Sequence, residues 1–440
     1  MAKADSELAA LRETYDEILR CGRCGFCQTT CPVYRVTGRE GSVARGHHAH
    51  ARALVEGDVS LGEDLQSAIF ECLLCKSCVA NCFGAVKTHE VMLAARHEYI
   101  RRYGLPFPLS FVFRILLQNP KLMTHLLRMA FVGKRTGLAD LVEHLRVLRW
   151  VSKEAAAANK LMDADEVPST FFVDRLKDID LKPENPRLTV AYFVGCGYNY
   201  ALPDVSETSV KMLVEEGCEV RVINNNCCGL PPYVYGDFDA ARSLAKKNLE
   251  MFNNLNVDTI ITECGSCYSF LKTYPELIHT DEAKTFANKV NEFSDFMGKR
   301  MPPRQRDAVK VTYHDPCHLS RYEEVREQPR ELLRRTNGVD YIELPEADWC
   351  CGGAGTYNIF HYDQSMEILK RKMENIRSTA ADIVATSCPA CMIQLRHGAK
   401  LFDVPVEVLH VSQVVRPTPA SVNEIGAKEV AACKSDVEQP

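Results

Sequence analysis

The residues best placed to do chemistry are cysteines, and the chain has 20 of them. The first set reads Cys21-Gly22-Arg23-Cys24-Gly25-Phe26-Cys27-Gln28-Thr29-Thr30-Cys31-Pro32, a C-x2-C-x2-C-x3-C-P run. Three thiolates two residues apart wrap a tight loop around three corners of a cubane 4Fe-4S cluster. The fourth stands before a helix-breaking proline, points away and ligates a neighbouring cluster. The run returns at Cys72, Cys75, Cys78 and Cys82. Two cubane clusters are therefore expected, one on Cys21, Cys24, Cys27 and Cys82, the other on Cys72, Cys75, Cys78 and Cys31. Phe83 replaces the usual second proline. It is not a ligand position, so the change is expected to alter packing or potential and leave the cluster in place.

The second half offers another pattern, twice. Cys196, Cys227-Cys228-Gly229 and Cys264/Cys267 are followed by Cys317, Cys350-Cys351-Gly352 and Cys388/Cys391, at offsets of 121, 123 and 124 residues. A near-constant offset over three landmarks reads as an internal duplication. Adjacent cysteines make a strained disulfide but suit a metal site. Five soft ligands exceed the four a structural zinc takes. Sulfur-only ligation favours iron–sulfur clusters or zinc over hard cations. The two remaining cysteines, Cys218 and Cys433, read as a small buried hydrophobe and a tail residue.

Composition narrows the class. Lys and Arg number 53 against 58 Asp and Glu, a formal net charge of −5 with no basic block, so nucleic acid is not an expected partner. The first residues lack an apolar signal core, so C-x2-C sets in this large chain read as cytoplasmic metal sites rather than disulfides. No stretch reaches the roughly 18 apolar residues of a membrane span. Residues 105–132 come nearest, but Arg114, Pro120, Lys121 and Arg128 interrupt them. They read as two buried amphipathic helices, with peripheral contact at the inner face of the membrane as the sharper alternative. No GxGxxG after a strand and no P-loop is present, so electrons must arrive and leave through partners.

The elements must bring these thiols together. Residues 7–20 follow a helical period and deliver the chain to Cys21. From 187 onward, Val/Ile-rich strands alternate with amphipathic helices, which argues for α/β units on a mostly parallel sheet. The cysteines fall at strand ends or strand-to-helix turns, where open α/β sheets bind ligands. The expected domains are 1–100, 101–185 (a helical linker ending in a proline-containing polar stretch), 186–305 and 306–420, with a frayed tail at 421–440. His47, His48 and His50 lack a matching ligand set and read as a solvated helix face. His314 and His318, flanking Cys317, read as ordinary packing at a turn, with a hydrogen bond to cluster sulfur or proton transfer as the sharper alternative. Asn224-Asn225-Asn226 reads as turn-forming.

The cysteine motifs, with Gly265-Ser266 and Pro389-Ala390 inside the closing pairs, resemble the two cysteine-rich CCG domains of heterodisulfide reductase subunits and of the iron–sulfur subunits of glycolate and lactate dehydrogenases. The ferredoxin-type half ahead of them resembles the same family. Gly25-Phe26-Cys27, Arg45-Gly46, His314-Asp315-Pro316-Cys317-His318-Leu319 and Cys351-Gly352-Gly353-Ala354-Gly355 are similar to the glycolate oxidase branch. Two complete CCG motifs are similar to heterodisulfide reductases. The resemblance implies an α+β multidomain protein: a helical two-cluster 4Fe-4S ferredoxin-like domain, then two tandem α/β CCG domains related by duplication. It implies two cubane clusters and one or two further clusters, non-cubane in the reductase branch. It further implies an oxidoreductase subunit relaying electrons from an FAD-containing 2-hydroxyacid (lactate or glycolate) dehydrogenase subunit. The acceptor would be a quinone, an electron-transfer flavoprotein or a membrane electron carrier. In the reductase alternative, the CCG clusters themselves cleave a disulfide.

Overall fold

The computed structural model of the chain describes residues 8–137 and 153–416; the tail at 421–440, with Cys433, lies outside them. The first helical stretch forms as two short helices, Ala9–Glu13 and Tyr15–Leu19, rather than one. They break at Thr14, whose hydroxyl donates to the Leu11 carbonyl at 2.8 Å, a local bond that competes with the helix. Leu11 and Ile18 still share a core with Leu54, Val91 and Tyr99 from helices Ala44–Glu56 and Thr88–Tyr103. The two cysteine runs wrap this helical core as loops, each closing on a short helical turn, Cys27–Thr30 and Ser77–Ala80.

Residues 188–298 and 305–415 each build a four-stranded parallel sheet. In the first, β1 (Leu188–Tyr192), β2 (Cys218–Val222), β3 (Thr259–Thr262) and β4 (Val290–Glu292) lie in the order β2-β1-β3-β4. In the second, β5 (Gln305–Tyr313), β6 (Asn337–Tyr341), β7 (Ile383–Thr386) and β8 (Glu407–His410) lie in the order β6-β5-β7-β8. The central strands are buried on both faces, as parallel strands between helices must be, and so read as continuous apolar runs. Strand order reverses between β1 and β3, and between β5 and β7. That switch point is where a crevice opens at the carboxyl ends of the strands. Cys196 and Cys264 follow the ends of β1 and β3; Cys317 and Cys388 follow the ends of β5 and β7. Cys218 opens β2 and is fully buried among Val210, Leu213 and Met297, a core residue as expected.

Two expectations need correction. His47 and His48 do not face solvent: both are buried, and burial pushes the His47 ring down to about 3. His48 Nε2 lies 3.1 Å from Thr88 Oγ1 on the neighbouring helix. Helix Pro120–Arg135 is not buried either. It has no fully buried residue, and Met129 and Val132 are 61% and 58% exposed. The preceding turns are anchored by Leu109, Phe113 and Leu117, and the helix itself by Met123 against the same core and Phe131 on Phe171. Among the described residues, no helix is long and apolar enough to cross a membrane.

Candidate metal centres

The two N-terminal cysteine loops share one backbone. Their cysteines are 51 residues apart at every position, and left-handed residues recur at the same offset: Arg23 and Gly25 (φ +53° and +80°), then Leu74 and Lys76 (φ +52° and +57°). Such conformations turn successive N–H groups toward one side of a loop. In the first loop glycine suits the position, because φ +80° is a conformation side-chain-bearing residues rarely adopt. The second has Lys76 instead, a strained choice that must be held by its surroundings. Its ammonium sits 3.6 Å over the Tyr322 ring, in the other half of the chain. Cys31 caps helix Pro32–Thr37, its Sγ accepting from the Tyr34 N–H at 3.5 Å, and lies beside Cys72 and Cys75. Cys78 neighbours that same group, and burial raises its thiol pKa. Cys21 and Cys24 neighbour Cys27. The Cys82 turn returns to them, with Arg20 donating to the Gly84 carbonyl at 3.4 Å and Phe83 packing on Phe26 at 4.9 Å between centroids. At 87% exposure Phe83 leaves this edge apolar and open.

In the second half each set of five thiols closes into one string, half-buried at Cys196 and Cys317 and buried elsewhere. Cys196 meets Cys227, Cys227 meets Cys228, Cys228 meets Cys267, and Cys267 meets Cys264. In the other set Cys317 meets Cys350, Cys350 meets Cys351, Cys351 Sγ lies 3.5 Å from Cys391 Sγ, and Cys391 meets Cys388. Hydrogen bonds from its neighbours Cys227 and Cys267 bring the Cys228 thiol down to about 6. Cys391 and Ser266 act likewise on Cys388, also to about 6. The same pairings push the Cys267 and Cys391 thiols up, so protons are shared unevenly within each set. The glycine of each Cys-Cys-Gly is a steric necessity. Gly229 and Gly352 have φ +103° and +83°, and a Cβ at Gly352 would stand 2.9 Å from the Ser365 carbonyl oxygen.

The two sets face each other. Ser266 Oγ lies 3.2 Å from Cys388 Sγ, and the Gly265 N–H donates to the Ser387 carbonyl at 2.8 Å. All ten thiols line one cavity of about 1390 Å³, whose outer wall includes Leu105, Leu109, Phe131 and Tyr235. The donor chemistry fits iron–sulfur clusters: ten soft sulfurs in two compact groups, with Glu63 the one carboxylate among the described lining residues.

The ferredoxin-type loop docks on both sheets. Cys75 and Cys350 pack together in one buried cluster with Leu73 and Trp349, thiol beside thiol. Arg321 donates to the Cys75 carbonyl at 3.1 Å and Tyr322 to the Leu74 carbonyl at 2.7 Å. Arg96, buried, donates to the carbonyls of Ile69, Phe70, Cys72 and Val234, so it ties the loop to the first sheet's helix Leu230–Val234. Arg96, Arg321, Tyr322 and Lys76 escape sequence reasoning, because nothing in their local pattern marks a contact so distant along the chain. Asn225 shapes its turn as expected, by bonds to the Val194 N–H and carbonyl at 2.9 and 3.1 Å.

Comparison with known proteins agrees with this architecture. Residues 17–86 match the 4Fe-4S dicluster domain, and residues 190–272 and 311–396 match the cysteine-rich CCG domain. The chain thus carries a 4Fe-4S dicluster domain followed by two cysteine-rich CCG domains. It is 29% identical to the probable glycolate oxidase iron-sulfur subunit of Bacillus subtilis, over 87% of this chain and 89% of that protein. Lactate utilization protein A of Oceanobacillus iheyensis is 28% identical over 52% of this chain and 96% of its own length. A subunit of the fumarate reductase (CoM/CoB) of Methanothermobacter marburgensis is 33% identical over 62% of this chain, which spans 53% of that protein. With these domains the chain carries iron–sulfur clusters and transfers electrons within an oxidoreductase. The clusters supply one-electron carriers; the protein supplies the thiolates, the N–H-lined loops and the apolar shell that set their potentials.

Proposed function

We propose that this chain relays electrons from a partner FAD-dependent dehydrogenase, oxidising a 2-hydroxyacid of the lactate or glycolate type, to a quinone or another carrier. The eighteen cysteines act as ligands in four groups: Cys21, Cys24, Cys27 with Cys82; Cys72, Cys75, Cys78 with Cys31; Cys196, Cys227, Cys228, Cys264, Cys267; and Cys317, Cys350, Cys351, Cys388, Cys391. The first two groups hold cubane clusters in a domain of about residues 1–100. The last two hold one cluster each in duplicated domains near 186–305 and 306–420. One observation carries the relay: the Cys75–Cys350 contact joins the N-terminal thiols to the second CCG set, which faces the first across the cavity. Anaerobic iron and sulfide quantitation with low-temperature EPR tests it. About sixteen irons are expected for four four-iron clusters. Cys24→Ser should lose one cubane signal and stop electron transfer to an added quinone while the CCG signals persist. Unchanged transfer refutes the relay.

The shared cavity favours a second reading, a thiol–disulfide reductase. Two electrons from the clusters and two protons would convert a bound disulfide to two thiols. Turnover of a small heterodisulfide by the isolated chain with a reduced viologen, and no flavin partner, would establish it over the relay.

A further inference from the structure

The two CCG sites are not chemically equal. Tyr192 and Tyr313 end β1 and β5 at the same register, and the next residues are Phe193 and His314. The Phe193 N–H donates to the Ile261 carbonyl at 2.8 Å; the His314 N–H donates to the Ala385 carbonyl at 2.9 Å. The backbones are equivalent, so only the side chains differ. Phe193 packs in the apolar core. His314 is 1% exposed, and neither ring nitrogen has a hydrogen-bond partner. The neighbouring Ala347 carbonyl already accepts from the Asp315 N–H at 3.0 Å and from Lys372 Nζ at 3.2 Å. A buried polar group without a partner is costly and rare in folded proteins. A phenyl ring fills the equivalent place in the first site without that cost, so packing alone does not explain an imidazole here.

What lies near His314 does. Among the described residues, one trio of potential ligand atoms comes from His and Cys together: a His314 nitrogen, Cys351 Sγ and Cys391 Sγ, all within 4.8 Å of one another and all buried. Imidazole is a good ligand for iron beside thiolate. We propose that His314 is a sixth donor of the second CCG site, binding its metal centre through nitrogen, while the first site is held by thiolates alone. This rests on the reading that Cys317, Cys350, Cys351, Cys388 and Cys391 hold an iron–sulfur cluster. An added nitrogen donor changes the ligand set of the centre, and the potential of an iron–sulfur centre follows its ligands and their surroundings. The second site, adjoining Cys75, then differs in potential from the first.

Pulsed EPR on the full-length chain, purified anaerobically and reduced, tests this. The signal of the second site is defined as the part lost in Cys350→Ala. In chain labelled with 15N-histidine, that signal should carry a strong nitrogen coupling that changes with the isotope. The coupling should vanish in His314→Phe, which copies the first site, and in His314→Gln should the phenyl variant fail to fold. The same signal should titrate at a shifted potential in the folded variant, with the other signals unmoved. A second-site signal with no histidine coupling, only the weak coupling of a hydrogen-bonded ring, or a coupling that survives in both variants, overturns the proposal and leaves the relay standing. If Cys350→Ala changes neither iron content nor spectrum, the cluster assignment itself falls, and the proposal with it.

Discussion

Arg330 locks the approach to Cys317, and its removal should be severe. Its guanidinium grips Asp315 with two bonds of 2.8 Å, takes Glu343 at 2.8 Å and donates to the Arg326 carbonyl at 2.8 Å. The side chains of Arg330 and Asp315 are only 6% and 5% exposed, so this fork belongs to the interior. Asp315 stands two residues before Cys317 and next to His314. In Arg330→Met the methionine fills much of the space, but Asp315 keeps a buried charge without its partner. Breaking a buried pair in this way costs about 3–5 kcal/mol. At about 2–4 °C per kcal/mol for a unit of 150–250 residues, the unfolding transition should fall by roughly 6–20 °C. Anaerobic calorimetry at one fixed scan rate measures it, since cluster loss makes the transition a rate process. Asp315→Asn combined with Arg330→Met removes the orphaned charge and should recover part of the loss. A shift below about 2 °C, or a double variant no better than the single, would refute the assignment of a buried, desolvated pair.

Gly352→Ala should destabilise by more than ~1 kcal/mol, because alanine is strained at φ +83° and its methyl meets the Ser365 carbonyl. Gly353→Ala, whose nearest such atom is 3.4 Å away, serves as the tolerated control, and iron content with thermal midpoint separates the two. Arg96→Leu leaves four carbonyls without their cation and should cost about 3 kcal/mol or more. Faster proteolysis between residues 60 and 100 would report it, and unchanged cleavage would contradict it. Burial pushes the Glu292 carboxyl up to about 7 from its usual 4.5. The neutral acid favours the fold, so its contribution is complete below about pH 4.5 and is lost as pH rises through 7. The loss between pH 5 and 8 is roughly 3 kcal/mol at most. Glu292→Gln keeps an oxygen for the Ser294 and Asp295 N–H groups and should flatten that slope in denaturant titrations; an equal slope in the variant rules out Glu292 as its source.

The cysteine sets were legible from the chain alone because ligand spacing is a local property. Cys21 to Cys31 can only wrap a loop, whatever lies elsewhere. The alternation that places Cys196, Cys264, Cys317 and Cys388 after strand ends is local as well. The strand-and-helix order of both sheets could therefore be read before any contact between them was known. Burial was less legible. His47 and His48 carry a polar label in the sequence, yet helix Ala44–Glu56 is covered by its neighbours. Conversely, helix Pro120–Arg135 leaves the apolar side chains of Leu122, Met129 and Val132 exposed. Composition states what a face prefers; packing decides what covers it.

Meetings between distant segments belong to tertiary structure alone. Cys75 reaches Cys350, Lys76 accepts its strained backbone beneath Tyr322, and Ser266 reaches Cys388, because the helical core and two sheets stack in one arrangement. No spacing along the chain encodes such contacts. The difference between Phe193 and His314 was visible in the sequence, but its meaning was not. It emerges once β1 and β5 are seen to end in the same register, with one ring in apolar surroundings and the other beside two thiols. The chain by itself determined which metal chemistry is available. The fold decided which centres touch and in what way the two CCG sites differ, because potential and contact depend on what burial and long-range packing place around each sulfur.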